Sequence, residues 1–256
     1  MNIIKVDNIN DKNISEFLSL KDKTLALSNT IIVETEKVVL KLLNSNTEVI
    51  KLFVNPDFID RHSELLSKLS IDIYTADKEV MQEIIGHNLH HGVMALARRP
   101  EYISLDELQD KVLILNGLTS PENIGTIVRN CAAFNINSII IDKRTCSPYV
   151  RRCIRVSMGN IFRVKVYKSN DLKSDLKKLQ SLGHRVISTA NQEGAIDLPK
   201  YSFPKKSCVI IGSEGHGIEK DILEVSDDII RIPIDDTVAH LNAACSSSIF
   251  LYQLSQ

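Results

Sequence analysis

The chain has 256 residues, a quarter of them charged and 43% apolar, with a net charge of −1 and five cysteines. That length leaves room for one large domain or two modest ones around a real hydrophobic core. No apolar run approaches the ~20 residues of a membrane span, the opening MNIIKVDNINDKNISEF is too polar and acidic for a secretion signal, and the odd, scattered cysteines suit neither a disulfide framework nor a zinc site, so a soluble cytoplasmic protein is expected.

In chain order, NTIIVET (29–35) and EVIKLFVN (48–55) read as strands, while ETEKVVLKLL and FIDRHSELLSKL carry apolar residues at helical spacing. IDIYTA, a short helix and the strand GVMALA (92–97) follow. The charged stretch RRPEYISLDELQD, with Pro100, reads as a linker. It divides the chain into a small α/β domain with its linker (1–105) and a second domain (106–256). The second domain opens on the buried strand KVLILNG and alternates strands INSIIID, IFRVKVY, GHRVISTAN, SCVIIG and DIIRIPI with helices. That alternation predicts an α/β fold with a parallel sheet.

Charge is unevenly spread. Lys143 to Lys178 holds eleven Lys or Arg against two Asp. Such a run fits a solvated helix face or a polyanion-binding face. The interleaved pattern RRCIRVSMGNIFRVKVYK projects its charges from ordered elements, which favours the second reading and marks Arg151, Arg152 and Arg155 as RNA-binding candidates.

Three segments carry chemistry. VIIGSEGHGI (209–218) breaks a buried strand into three glycines, yet Ile218 and Glu219 stand where a P-loop needs Lys and a hydroxyl. Its glycine spacing also misses the dinucleotide fingerprint, and Glu214 would repel a pyrophosphate. The loop suits a neutral or cationic ligand, or it is a plain tight turn. In SPENIGTIVRNCAAF, Ser120 and Pro121 form a good helix start. Ile124, Ile127, Val128, Cys131 and Ala132 make a core stripe, with Arg129 off it, one turn beyond Gly125. A glycine inside a helix costs about 0.5–1 kcal/mol against alanine, so an open space beside the guanidinium is expected there. IPIDDTVAHLNAACSSSIFLY leads through an acidic loop into a terminal helix rich in small residues. His87, His90 and His91 lack a neighbouring carboxylate or thiolate and read as a loop, and no metal site is expected.

Taken in order, these three segments resemble the motifs of the SpoU/TrmH family of RNA ribose 2′-O-methyltransferases, within the SPOUT superfamily. VRRCIRVSMGNIFRV is similar to the family's segment between motifs one and two. IIVETEKVVLKLL to HHGVMALARRP is similar to the small ribosomal-protein-like substrate-binding domain found ahead of many members. The resemblance implies a deep trefoil knot, S-adenosylmethionine as methyl donor, an RNA substrate and a homodimer with its active site near the subunit interface. It places cofactor contacts on Thr189, Gly212, Ser213, Gly215, Ile232, Pro233, Leu241 and Ala244, largely through backbone. It puts Asn123, Arg129, Glu214 and Asn242 around the reacting ribose. Arginine stays protonated in proteins, so Arg129 is expected to bind phosphate and stabilise the developing alkoxide, the proton passing to phosphate or water.

One departure stands out. His240 occupies the place of the family's usual serine before Leu-Asn, and the motif's later serine is Ala244. His240 either fills the serine's place or takes part in removing the ribose proton. The alternative functions are a catalytically weakened RNA-binding paralogue acting as an assembly factor and an unknotted nucleotide-binding α/β enzyme, the latter disfavoured by the glycine spacing.

Overall fold

The computed structural model describes residues 2–18, 22–85, 92–213, 215–235 and 237–256. Its elements run β1 (Asn2–Lys5), α1 (Ser15–Leu18), α2 (Asp22–Leu27), β2 (Thr30–Glu34), α3 (Glu36–Leu43), β3 (Val49–Val54), α4 (Pro56–Ser67), β4 (Asp72–Thr75), α5 (Lys78–Ile85) and β5 (Val93–Arg98). There follow β6 (Lys111–Asn116), α6 (Pro121–Ala133), β7 (Ser138–Ile141), α7 (Arg151–Val156), β8 (Lys165–Lys168), α8 (Leu172–Ser181), β9 (Arg185–Thr189) and β10 (Ile196–Asp197). The chain ends with β11 (Ser207–Gly212), α9 (Lys220–Leu223), β12 (Asp228–Arg231) and α10 (Ala243–Ser255).

Two compact units result. The first combines residues 1–100 with 149–162, and the second combines 101–148 with 163–256. The first unit is a five-stranded sheet in the order β1-β4-β3-β5-β2. β1, β4 and β3 run parallel, and β5 is antiparallel to both its neighbours. Phe17, Phe53, Met81 and Met94 fill its core. The edge strand β2 is nonetheless buried at all five residues, because α2, α3 and α7 pack on it. Arg151–Val156 therefore belongs to the first unit, although its sequence lies among the strands of the second.

The second unit is a seven-stranded sheet, β10-β12-β9-β11-β6-β7-β8, parallel throughout. Val112, Ile114, Cys208 and Ile210 pack with Leu176, Leu179 and Ile222 of α8 and α9. Alternate residues point to the opposite face, and α10 packs on α6 and β11. This is the α/β architecture that the alternating pattern predicts. No helix among the described residues is long and apolar enough to cross a membrane.

Two strands are shorter than their apolar runs. In IFRVKVY only the second half is strand, since Asn160–Arg163 forms a 3-10 turn after Met158 and Gly159 adopt φ of 54° and 72°. β12 stops at Arg231, two residues before Pro233, which has no N–H to extend the ladder. β1, α1, α2 and β10 have no counterpart in the pattern read from the sequence. His87, His90 and His91 lie outside the described residues.

Candidate active site

Parallel strands bring their carboxyl ends to one edge of the sheet, where open α/β sheets bind ligands. The register pairs Gly212 with Asn116, Ile210 with Ser188 and Ile230 with Thr189, so the loops after β6, β9, β11 and β12 all leave from that edge. The Thr189 hydroxyl donates to the Ile210 carbonyl at 2.8 Å, tying the end of β9 to β11.

A cleft opens there. Ile232, Ile234, Leu241 and Phe250 give it apolar walls, and Thr189, Asn191, Arg231, His240 and Ser246 supply polar groups. Such a lining suits a ligand with a flat apolar part and polar extremities. Arg231 is held at the rim by Asp197, its Nε donating to Oδ1 at 2.8 Å. The hydrogen bond from Arg231, with help from Lys200, keeps the Asp197 carboxyl below the usual range. Between β12 and α10 the acidic loop is fastened by Asp235, which accepts from the Thr237 amide and hydroxyl. Those bonds lower the Asp235 pKa.

The glycine loop closes on itself. Ser213 and Gly217 exchange both backbone hydrogen bonds, at 3.1 and 2.8 Å. A Cβ on Gly212 would fall 2.3–2.5 Å from the backbone of Gly217 and Ile218, so only glycine permits the crossing. Gly217 has φ of 65°, where side chains are strained. Gly215 sits in the exposed turn, and Glu214 lies outside the described residues.

At the start of α6, Ser120 accepts from the Asn123 amide at 3.3 Å and Pro121 takes the first helical position. The predicted stripe is buried. Asn242 caps α10, accepting from the amides of Ala244 and Cys245. Its side-chain amide also donates to Asn123 Oδ1 at 3.2 Å. Two of the expected ribose-side residues thus meet across 119 positions of sequence. Arg129 is exposed and makes no ion pair with any described residue. Gly125, expected to open a space beside it, is instead buried on the packed side of the helix.

Of the expected cofactor contacts, Thr189, Ile232 and Leu241 line the cleft, with His240 beside them. Gly212 and Ser213 shape the neighbouring loop, Pro233 is exposed next to Ile232, and Ala244 is buried, its carbonyl accepting from Asn130. The lining residues Ala190, Asn191, Arg231, Ile234, Ser246 and Phe250 were not foreseen. Ala190 and Asn191 follow Thr189, and Arg231 and Ile234 flank Ile232 in sequence, whereas Ser246 and Phe250 reach the cleft only through the path of α10.

The basic stretch divides between the two units. Within the first, Arg151 donates to Glu34 through Nε at 2.8 Å and also through Nη2, and Arg155 donates to the other oxygen at 2.6 Å. Arg152 is exposed on the same helix. Within the second, Arg144 pairs with Glu219 at 2.9 Å. No group of three His, Cys, Asp or Glu among the described residues is arranged to hold a metal.

Residues 110–252 match the SpoU rRNA Methylase family, and residues 33–103 match the RNA 2′-O ribose methyltransferase substrate binding family. An uncharacterized tRNA/rRNA methyltransferase of Mycobacterium bovis is 28% identical over 87% of this chain and 80% of its own length. The 23S rRNA (guanosine-2′-O-)-methyltransferase RlmB of Vibrio vulnificus is 27% identical over 64% of this chain and 69% of its own. Among solved structures, the AdoMet-bound rRNA methyltransferase of Sinorhizobium meliloti shares the fold with a TM-score of 0.87 at 18% identity, covering 98% of this chain and 97% of that one. The SpoU methyltransferase AviRb of Streptomyces viridochromogenes, in complex with AdoMet, has a TM-score of 0.82 at 19% identity, covering 96% and 98%.

Proposed function

The chain belongs to the SpoU rRNA methylase family and is an RNA methyltransferase, and we propose that it moves a methyl group from S-adenosylmethionine to a ribose 2′-hydroxyl of ribosomal or transfer RNA. The observation that carries this reading is the junction of the three motifs at one sheet edge. The cleft beside Thr189, Ile232 and Leu241 opens at the same sheet edge from which the glycine loop leaves, and Asn123 and Asn242 are hydrogen-bonded to each other. The cleft's mixed lining fits the cofactor, its apolar walls suiting a nucleoside and its polar groups the amino-acid end. When bound, the cofactor supplies an electrophilic methyl on a sulfonium.

Transfer to a hydroxyl chiefly demands alignment, which is a task for fixed groups. Asn242 and Asn123 hold the ribose side in register through their mutual bond. Arg129 is exposed and makes no ion pair with a described residue, which leaves its guanidinium open to an anion of the substrate. It binds an RNA phosphate and offsets charge developing on the ribose oxygen. The ribose proton leaves to phosphate or water, because a guanidinium cannot take it. His240 fills the serine's place at the cleft.

The match over residues 33–103 supports an RNA-holding role for the N-terminal domain, with Arg152 as a phosphate contact. A cytoplasmic homodimer with a trefoil threading of its C-terminal strands completes the reading. The exposed Ile249 and Tyr252 on α10 support self-association.

Incubation of the protein with methyl-labelled S-adenosylmethionine and RNA from cells lacking it tests the proposal. Label should appear in alkali-resistant dinucleotides, since a methylated 2′-oxygen blocks cleavage of the next phosphate. Label confined to bases, or RNA binding with no transfer, would replace the proposal with a base methyltransferase or an assembly factor.

A further inference from the structure

Asn116 is the last residue of β6 and stands opposite Gly212, the last residue of β11. It is fully buried, and its side chain does not serve the core. The side-chain carbonyl accepts from the Glu219 backbone amide at 3.1 Å, and the side-chain amide donates to Glu219 Oε2 at 3.0 Å. Both halves of the amide thus grip the residue at which the chain leaves the glycine loop.

The grip is braced from behind. Asn116 also donates to Asp142 Oδ2 at 3.0 Å. The other Asp142 oxygen accepts from the Thr145 amide at 2.7 Å and hydroxyl at 2.6 Å. Arg144 reaches Glu219 at 2.9 Å and Asp142 at 3.6 Å. Asn116 ends β6 and Asp142 directly follows β7, so the grip on Glu219, which stands just before α9, is anchored at the sheet edge. It faces two loops. Beyond Asn116, the Gly117 amide donates to Asp142 and the Leu118 amide to Thr145, fixing the turn that leads into α6 and Asn123.

The loop pinched at Ser213 and Gly217 continues from β11 at Gly212, and its outgoing end is held first by Ile218, buried in the core, and then by Glu219. The side-chain attachment of that outgoing end is made by Asn116 and Glu219. We propose that Asn116 and Glu219 are positioning residues for the methyl donor: they fix the glycine loop against β6 and so hold the loop and the motif-one turn in one arrangement before the cofactor arrives. Neither residue lines the cleft, so they act through the backbone of the loop. Loss of the pair lets the loop sample other attitudes, and the cofactor must then bear the entropy of ordering it.

The inference rests on the reading that this sheet edge binds S-adenosylmethionine. Calorimetry with S-adenosylmethionine and steady-state transfer on the full-length protein test both. The Glu219 side chain is 42% exposed and Asn116 keeps its bond to Asp142, so Glu219→Ala is expected to fold with only a slightly lowered thermal midpoint. It should raise Kd and KM for the cofactor about tenfold, as for loss of a charge-assisted hydrogen bond, with kcat at saturation within about threefold. Glu219→Gln keeps an oxygen for the Asn116 amide and should restore both constants to within about threefold of the wild type. A Kd unchanged in Glu219→Ala, while the wild type binds, would overturn this inference alone. Glutamine as impaired as alanine would overturn it too, by assigning the effect to the Arg144 charge. A wild-type chain that does not bind the cofactor would overturn the underlying reading as well.

Discussion

Arg129 on α6 and the pair Arg151 and Arg155 on α7 look alike in the sequence, each an arginine on a short amphipathic helix. The folded chain treats them oppositely. Arg151 and Arg155 close on both oxygens of Glu34, whose side chain is only 10% exposed. Arg129 stands in solvent with no carboxylate among the described residues. A guanidinium that has its counter-charge within the chain contributes to the fold, and one that lacks it can meet an anion brought by the substrate. Charge density along the sequence does not separate these two uses, whereas the position of the carboxylates does.

The sharpest way to break that comparison is Arg129→Ala. Transfer should fall by a hundredfold or more, on the scale of removing one group that stabilises charge in the transition state. Cofactor affinity by calorimetry should stay within about twofold. Collapse of cofactor binding would move Arg129 from the substrate side to the cofactor side.

Glu34→Ala tests the other half. It leaves two arginines facing a partly buried gap and should destabilise the protein by about 2 kcal/mol in urea unfolding. This is less than the roughly 3–5 kcal/mol of a fully buried pair, because Arg151 and Arg155 remain partly solvated. No loss of stability would return α7 to the role of a free basic face.

Arg152 lies between the paired arginines and is exposed. Arg152→Glu should weaken RNA binding several-fold and lower the salt slope by about one, as expected for one lost phosphate contact. An unaltered slope in filter binding would remove this helix from the RNA-binding surface.

At the cleft, His240→Ser should keep transfer within about threefold, since the imidazole there fills a serine's place. A loss of a hundredfold would instead give the imidazole the task of taking the ribose proton.

The smallest effect on stability concerns another structural arginine. Arg185 donates to both oxygens of Asp228, at 2.7 and 2.8 Å, and that pairing, helped by Tyr201, lowers the Asp228 pKa. A lowered folded pKa stabilises the fold above the ordinary carboxylate range, and that stability is lost as pH falls through the folded value. Asp228→Asn should therefore cost up to about 1 kcal/mol at neutral pH, limited by the partial exposure of Arg185. The gap to the wild type should close in acid. A gap that persists below the carboxylate range would show that the pair acts by shape and not by charge.

Local patterns in the sequence determined much of this molecule. The apolar runs fixed where most strands lie, Ser120 and Pro121 fixed the start of α6, and its core stripe is buried as spaced. These features depend on residues within a turn or two of one another, where backbone geometry and side-chain period act directly. Gly212 was legible as a glycine but not in its purpose, because the atoms it makes room for belong to Gly217 and Ile218 after the chain has folded back. The remaining decisions were tertiary. Asn116 meets Glu219 across 103 residues, Arg151 meets Glu34 across 117, and Asn242 meets Asn123 across 119. No local preference encodes such partners. They follow from the strand order, which sets β11 beside β6, and from the packing that carries α7 onto β2. The residues that grip the glycine loop and those that neutralise the basic helix became visible only when the sheets had chosen their neighbours.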